Sequence, residues 1–180
     1  IDFANLPEES YDSPLGAGTG AAVIFGTTGG VMEAALRTVA EVVLGEEITD
    51  VEYNDVRGME QTREAVIKVG EAEVKIAVVH TLASAKKMLD RIKEGTADYH
   101  FIEVMACPGG CIGGGGQPVP VNAEIRQKRR EALFECDRAN ELRKSHENPE
   151  IKVLYDTWLG KPLGEKAHSL LHTHYSEQKR

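Results

Sequence analysis

The feature that most constrains this chain is a pair of cysteines with a three-residue spacer, Cys107-Pro108-Gly109-Gly110-Cys111, running into Ile112, four consecutive glycines and Gln117-Pro118. Six glycines lie between Cys107 and Gln117. Glycine loses more conformational freedom on folding than any other residue, a cost that a plain loop has little reason to bear. Glycines do permit backbone angles closed to other residues, and they leave amides free of steric shielding. An inorganic iron–sulfur core, which is bulky, anionic and stabilised by N–H groups aimed at sulfur, needs such an approach. Three other readings stay open at this level. A flexible glycine linker could carry two incidental thiols. Structural zinc is possible, although zinc knuckles favour a two-residue spacer and the nearest histidine, His100, sits in the preceding apolar run. A phosphate site is possible here or at Gly26 to Gly30, but neither segment matches a P-loop or a dinucleotide fingerprint.

The rest of the chain reads as α/β. Ala21 to Phe25 is a short apolar run of the kind buried in a parallel sheet, followed by Gly26-Thr27-Thr28-Gly29-Gly30 and a helix from about Val31 to Leu44. Three β-branched segments follow, Thr49 to Asp55, Thr62 to Val69 and Ala72 to Thr81, with Gly70 as the turn between the last two. Leu82 to Glu94 spaces Leu82, Ala85, Leu89 and Ile92 as one helical face and stops at Gly95. His100 to Ala106 is then a buried strand, so a right-handed parallel crossover is expected. Asn122 can cap a charged helix running to about Lys144, and Pro149 precedes a short helix through Leu159. Pro, Glu, Ser and Gly punctuate residues 1–20 and predict an irregular lead-in without core, Ser13-Pro14-Leu15-Gly16 included.

At 180 residues one domain is expected, with a polar, histidine-bearing tail at about 161–180. Charged residues at 28% and hydrophobic ones at 41% fit a globular protein. The net charge of −8 argues against a nucleic-acid partner, and no stretch approaches a membrane span. Three cysteines are too few and too odd in number for a disulfide framework, which points to a reducing, cytoplasmic compartment. Cys136, on the long charged helix, reads as a small buried hydrophobe. Ile1 in place of methionine suggests either a processed chain or a piece of a longer one.

Met105 to Pro118 resembles the last of the three cysteine signatures of FeFe hydrogenases. Phe25-Gly26-Thr27-Thr28-Gly29-Gly30-Val31-Met32-Glu33-Ala34-Ala35-Leu36-Arg37 resembles that family's segment beside the cluster, and His168-Ser169-Leu170-Leu171-His172-Thr173-His174-Tyr175 resembles its C-terminal region. The resemblance implies a mixed or mainly parallel sheet flanked by helices, residues 1–180 forming one lobe of a two-lobed catalytic domain, and a tail that wraps the domain by surface packing rather than by binding metal. It implies reversible oxidation of dihydrogen to protons and electrons at a diiron site bridged to a 4Fe-4S cluster, together the H-cluster. By motif position Cys107 would ligate the cubane, Cys111 would ligate it and bridge to the diiron site, and Phe25, Gly26 and Met105 would line the diiron pocket. Partners would be the missing N-terminal part of the domain and an electron carrier such as ferredoxin or NAD(P)H-linked subunits. The two earlier signatures, which bring the other thiolates, a lysine and a proton-relaying thiol, do not occur here. The isolated chain is therefore expected to lack its cluster and to be inactive. A hydrogenase-like iron–sulfur assembly factor, sharing the cysteine segment but not the activity, is the alternative.

Overall fold

A computed structural model describes residues 1–10 and 17–176. Ser13 to Gly16 of the lead-in and the last four residues of the tail lie outside the described residues. The chain forms two compact units, one of residues 19–145 and one of residues 1–18 with 146–180.

The first unit opens with a departure from the sequence reading. Ala21 to Phe25 is not a strand: helix α1 (Gly20–Val23) runs into a 3-10 turn (Ile24–Gly26). A short apolar run has the same composition in a buried helix as in a buried strand, so flanking contacts decide. Here Thr19 caps the helix by accepting from Ala22 N–H, and Gly20 N–H donates to Leu142 O. Gly20 also packs where a Cβ would collide with Asp137 Oδ1. Helix α2 (Gly30–Leu44) follows as expected, ending at Gly45 in the left-handed conformation.

Residues 49–55 also depart from expectation. They form an irregular segment with a 3-10 turn (Asn54–Val56), because side chains take the backbone groups a ladder would need: Arg37 Nε donates to Val51 O and Arg63 Nε to Val56 O. Strands β1 (Thr62–Val69) and β2 (Ala72–His80) form the expected antiparallel hairpin around Gly70, whose φ of +61° suits glycine. Helix α3 (Leu82–Lys93) then returns the chain to β3 (Phe101–Met105), parallel to β2. The result is a mixed sheet of order β1-β2-β3, an α/β fold as read from sequence. One sheet face packs on α2, where Met32, Leu36 and Ala40 meet Val56, Ile67, Val69, Ile76 and Val78.

Two expectations of burial fail for one reason. Of the predicted α3 face only Ala85 is buried, beside Met88; Leu82 and Leu89 are 67% and 55% exposed. In β3 only Glu103 is buried, while Val104 is 53% exposed. Both follow from β3 being an edge: no fourth strand lies beyond it among the described residues, so the outer part of α3 has no sheet to cover.

Helix α4 (Ala123–Ala139) is capped by Asn122, which accepts from Ile125 N–H as predicted, but it stops short of Lys144. Residues 140–144 turn back instead, placing Arg143 on Asp137 and Lys144 on Glu41. Arg37, Glu33 and Asp137 are fully buried, with Arg37 paired to both carboxylates at 2.7 Å and Arg57 also on Glu33. Buried charges persist only when paired in this way, and the network joins α2 to α4. Cys136 is exposed rather than buried, because α4 turns Phe134 and Asp137 inward instead.

In the second unit, Asn148 caps α5 (Pro149–Leu154), which continues as a π turn (Tyr155–Leu159), and α6 (Glu165–Leu171) follows. His168 on α6 and His172 just past its end, one turn apart, stack at 4.3 Å between ring centroids.

Candidate metal centre

The cysteine segment leaves β3 at Met105, whose carbonyl accepts from Thr81 N–H at the start of α3. Three short backbone bonds coil it: Gly110 N–H to Cys107 O, Gly113 N–H to Gly110 O and Gly114 N–H to Cys111 O, each 3.0 Å. Gly109 and Gly110 have φ of +80° and +94°, the left-handed region that L side chains rarely adopt. At Gly110 a Cβ would meet Met105 Sδ at 2.7 Å and Thr28 N at 2.9 Å. That close approach lets Thr28 N–H donate to Gly109 O at 2.9 Å, joining the cysteine loop to the glycine loop that begins α2. A Cβ at Gly114 would lie 3.4 Å from Cys107 Sγ, so this glycine holds bare backbone against the thiol.

Cys107, Cys111 and Met105 open onto one cavity of about 300 Å³, also lined by Val104, Ala106 and Gly110. Cys111 and Gly26 line a second cavity of about 330 Å³ with Ile112, Gln117, Arg129 and Leu133. Arg129 braces that side by donating to Ile112 O and Pro118 O, both at 2.8 Å. Phe25, 46% exposed in the turn before Gly26, lines neither cavity. The structure thus brings Cys107, Cys111 and Met105 together, places Gly26 on the far side of Cys111, and leaves Phe25 outside both. Among the described residues no group of three or more His, Cys, Asp or Glu side chains could hold a metal ion, so the donor set here is the cysteine pair.

Two supporting residues were not singled out from sequence. Glu103, buried in β3, accepts from Gly29 N–H at 2.6 Å and Met32 N–H at 2.8 Å, fastening the first turn of α2 to the strand that delivers the cysteines. Burial pushes its carboxyl above the usual range, against the lowering influence of those N–H groups and of Arg63. His80, buried at the end of β2, accepts from Gly109 N–H through Nδ1 at 3.3 Å. The proton then resides on Nε2, which donates to Met59 O at 3.2 Å. An isolated carboxylate inside the apolar run HFIEVMA was the available signal for Glu103. Nothing local marked His80, because its partner lies 29 residues away.

Comparison with known proteins identifies the family. Residues 1–115 match the family described as iron only hydrogenase large subunit, C-terminal domain, and residues 123–178 match iron hydrogenase small subunit. The chain is 54% identical, over its whole length and 31% of the relative's, to the NADP-reducing hydrogenase subunit HndD of Solidesulfovibrio fructosivorans. It is 31% identical, over 83% of its length and 31% of the relative's, to the cytosolic iron-sulfur assembly component 3 of Rattus norvegicus. Among solved structures, a variant of the [FeFe]-hydrogenase HydA1 from Chlamydomonas reinhardtii superposes with a TM-score of 0.71 at 43% identity, covering 97% of this chain and 51% of that one. The chain therefore spans about a third of these curated relatives and half of that solved structure. With a matched family region that takes in both cysteines and the glycine loop of α2, this chain belongs to the iron-only (FeFe) hydrogenase family, as a stretch of the large subunit's C-terminal domain followed by a segment resembling the small subunit.

Proposed function

We propose that this chain is part of a hydrogenase catalysing reversible oxidation of dihydrogen to protons and electrons, and that it supplies two of the four thiolates for a 4Fe-4S cluster bridged to a diiron site. The observation that carries this reading is the single cavity shared by Cys107, Cys111 and Met105, with glycines where side chains would intrude. Soft thiolate donors and a bare backbone cradle fit an iron–sulfur group. When bound, that group supplies the electron transfer and the hydrogen chemistry. The chain's own residues then have distinct roles. Cys107 and Cys111 ligate, Cys111 alone touching both cavities as a bridging ligand would. Met105 walls the cavity that holds both thiols and Gly26 the neighbouring one, Phe25 standing outside both, and His80 and Glu103 hold the two loops in register.

With only two donors, the isolated chain is expected to carry no native cluster and to be inactive, since cluster affinity needs every ligand deprotonated and preorganised. The remaining thiolates would come from the N-terminal part of the catalytic domain, outside these 180 residues. An electron carrier, ferredoxin or an NAD(P)H-linked subunit, is the further partner; the name of the HndD relative supports the second. No helix among the described residues is long and apolar enough to cross a membrane, and the three unpaired cysteines accord with a cytoplasmic setting. The assembly-factor reading draws on the 31% identity to a cytosolic assembly component, but 54% identity to a hydrogenase over the entire chain favours the enzyme. Iron and sulfide analysis with hydrogen-evolution assays on the matured full-length protein tests both. Cluster-loaded protein with hydrogen turnover is expected; loaded protein without turnover transfers the assignment to the assembly reading.

A further inference from the structure

A second polar cluster lies on α4, separate from the cysteine cavity. Arg130, Phe134 and Arg138 follow one another at four-residue spacing along the helix, and with Asn54, Arg57 and Glu131 they line a cavity of about 190 Å³. Two guanidiniums stand over the buried Phe134 ring, Arg57 at 4.3 Å and Arg130 at 5.1 Å from its centroid. Their situations differ. Arg57 is saturated by Glu33 and Glu52. Arg130 has a buried Nε without a hydrogen-bond partner among the described residues, and neither it nor Arg138 joins an ion pair there.

The nearby carboxylates do not relieve this surplus. Glu33 is already shared by Arg37 and Arg57, and Glu131 accepts from Gln127 Nε2 at 2.7 Å. Burial, then the neighbouring Arg57 charge, lower the pKa of Arg130 against the opposing pull of Glu131, Glu33 and Glu60. The cavity is thus walled by an aromatic ring, an amide, three guanidiniums and the Glu131 carboxylate, and of the guanidiniums only that of Arg57 is held in ion pairs among the described residues. Guanidinium forks match planar or tetrahedral oxyanions.

We propose that Arg130 and Arg138, beside Phe134 and Asn54, form a binding site for an oxyanion, either a carboxylate or a phosphate group. The cavity admits such a group, and the terminal Nη1 and Nη2 groups of Arg130, which join no ion pair among the described residues, would supply the donors. The assignment is independent of the cluster site.

Calorimetric titration of the full-length protein at low ionic strength, with inorganic phosphate and separately with acetate, tests it. Saturable binding is expected for at least one probe, weakened about tenfold by Arg130→Gln and by Arg138→Gln, the factor for losing one charge-assisted hydrogen bond. Arg138 is exposed, so its substitution leaves the core intact and keeps the test meaningful should Arg130→Gln misfold. Lys128→Gln removes the same charge from the same helix at an exposed position and is expected to leave binding unchanged. Phosphate binding tighter than acetate identifies a phosphate-bearing ligand, and the reverse a carboxylate. Absence of saturable binding for both probes, or an equal loss in Lys128→Gln, overturns the proposal.

Discussion

Two polar clusters flank α2, and they are built on opposite principles. At Glu33, Arg37 and Asp137 every charge is buried and answered by another protein charge, with Arg57 and Arg143 completing the set. At Cys107 and Cys111 the donors are soft, partly open to solvent, and face a cavity from which glycines exclude other side chains. The first arrangement is closed and serves stability. The second leaves its donors open to the cavity, and its loop is held by neighbours, His80 and Glu103, rather than by the thiols themselves.

The comparison breaks most visibly at the closed cluster. Asp137→Ala leaves the fully buried Arg37 without its carboxylate, and a loss of about 3–5 kcal/mol is expected in urea unfolding; a loss below ~1 kcal/mol would mean that water or Glu33 already compensates. Next comes the loop's backbone. Gly110→Ala forces a Cβ onto Met105 Sδ at φ +94°, and about 1–3 kcal/mol should be lost, with a changed electronic spectrum of the cluster in the matured full-length protein.

Glu103→Gln sharpens the contrast through pH. Because burial raises the folded carboxyl above its ordinary value near 4.5, the stability linked to its protonation is fully present below that value and is lost as pH rises through the folded pKa. Glutamine does not titrate, so unfolding midpoints of wild type and Glu103→Gln, followed from pH 4 to 8 (on the order of the window the ordinary carboxyl value sets), should shift in the variant's favour as pH rises. Parallel curves would place the carboxyl's pKa at its ordinary value.

The smallest effect on stability is expected at the exposed thiols. Cys111→Ala and Cys136→Ala should each change unfolding free energy by no more than ~0.5 kcal/mol. In the full-length protein, hydrogen turnover should nevertheless vanish for Cys111→Ala and persist for Cys136→Ala. The reverse ranking would move the ligand role to α4.

Much of the architecture could be read locally. The turn of the hairpin at Gly70, the cap at Asn122 and the stop at Gly95 each depend on residues within a few positions of one another, and the β2-α3-β3 crossover, which pairs residues 25 apart, followed from the order of the elements. The cysteine–glycine segment carried its chemistry in the same way, since ligand type and backbone freedom are properties of the residues themselves. Residues 21–25 and 49–55 misled because their outcome was set elsewhere: by Asp137 against Gly20, and by Arg37 and Arg63 occupying backbone carbonyls. The helical face of α3 was correctly periodic, yet Leu82 and Leu89 stay in the open because the sheet beneath them ends at β3.

By itself the amino-acid order determined where the elements turn, which donors could meet a metal, and the family to which the chain belongs. Only the tertiary structure decided that both thiols share a cavity with Met105, that Glu103 and His80 steady the loop around them, and that a buried donor of Arg130 lacks an acceptor among the described residues. The reason is physical: turns and caps are contacts across three or four residues, whereas pairing buried charges and enclosing a cavity requires groups as far as 100 and 103 positions apart to meet.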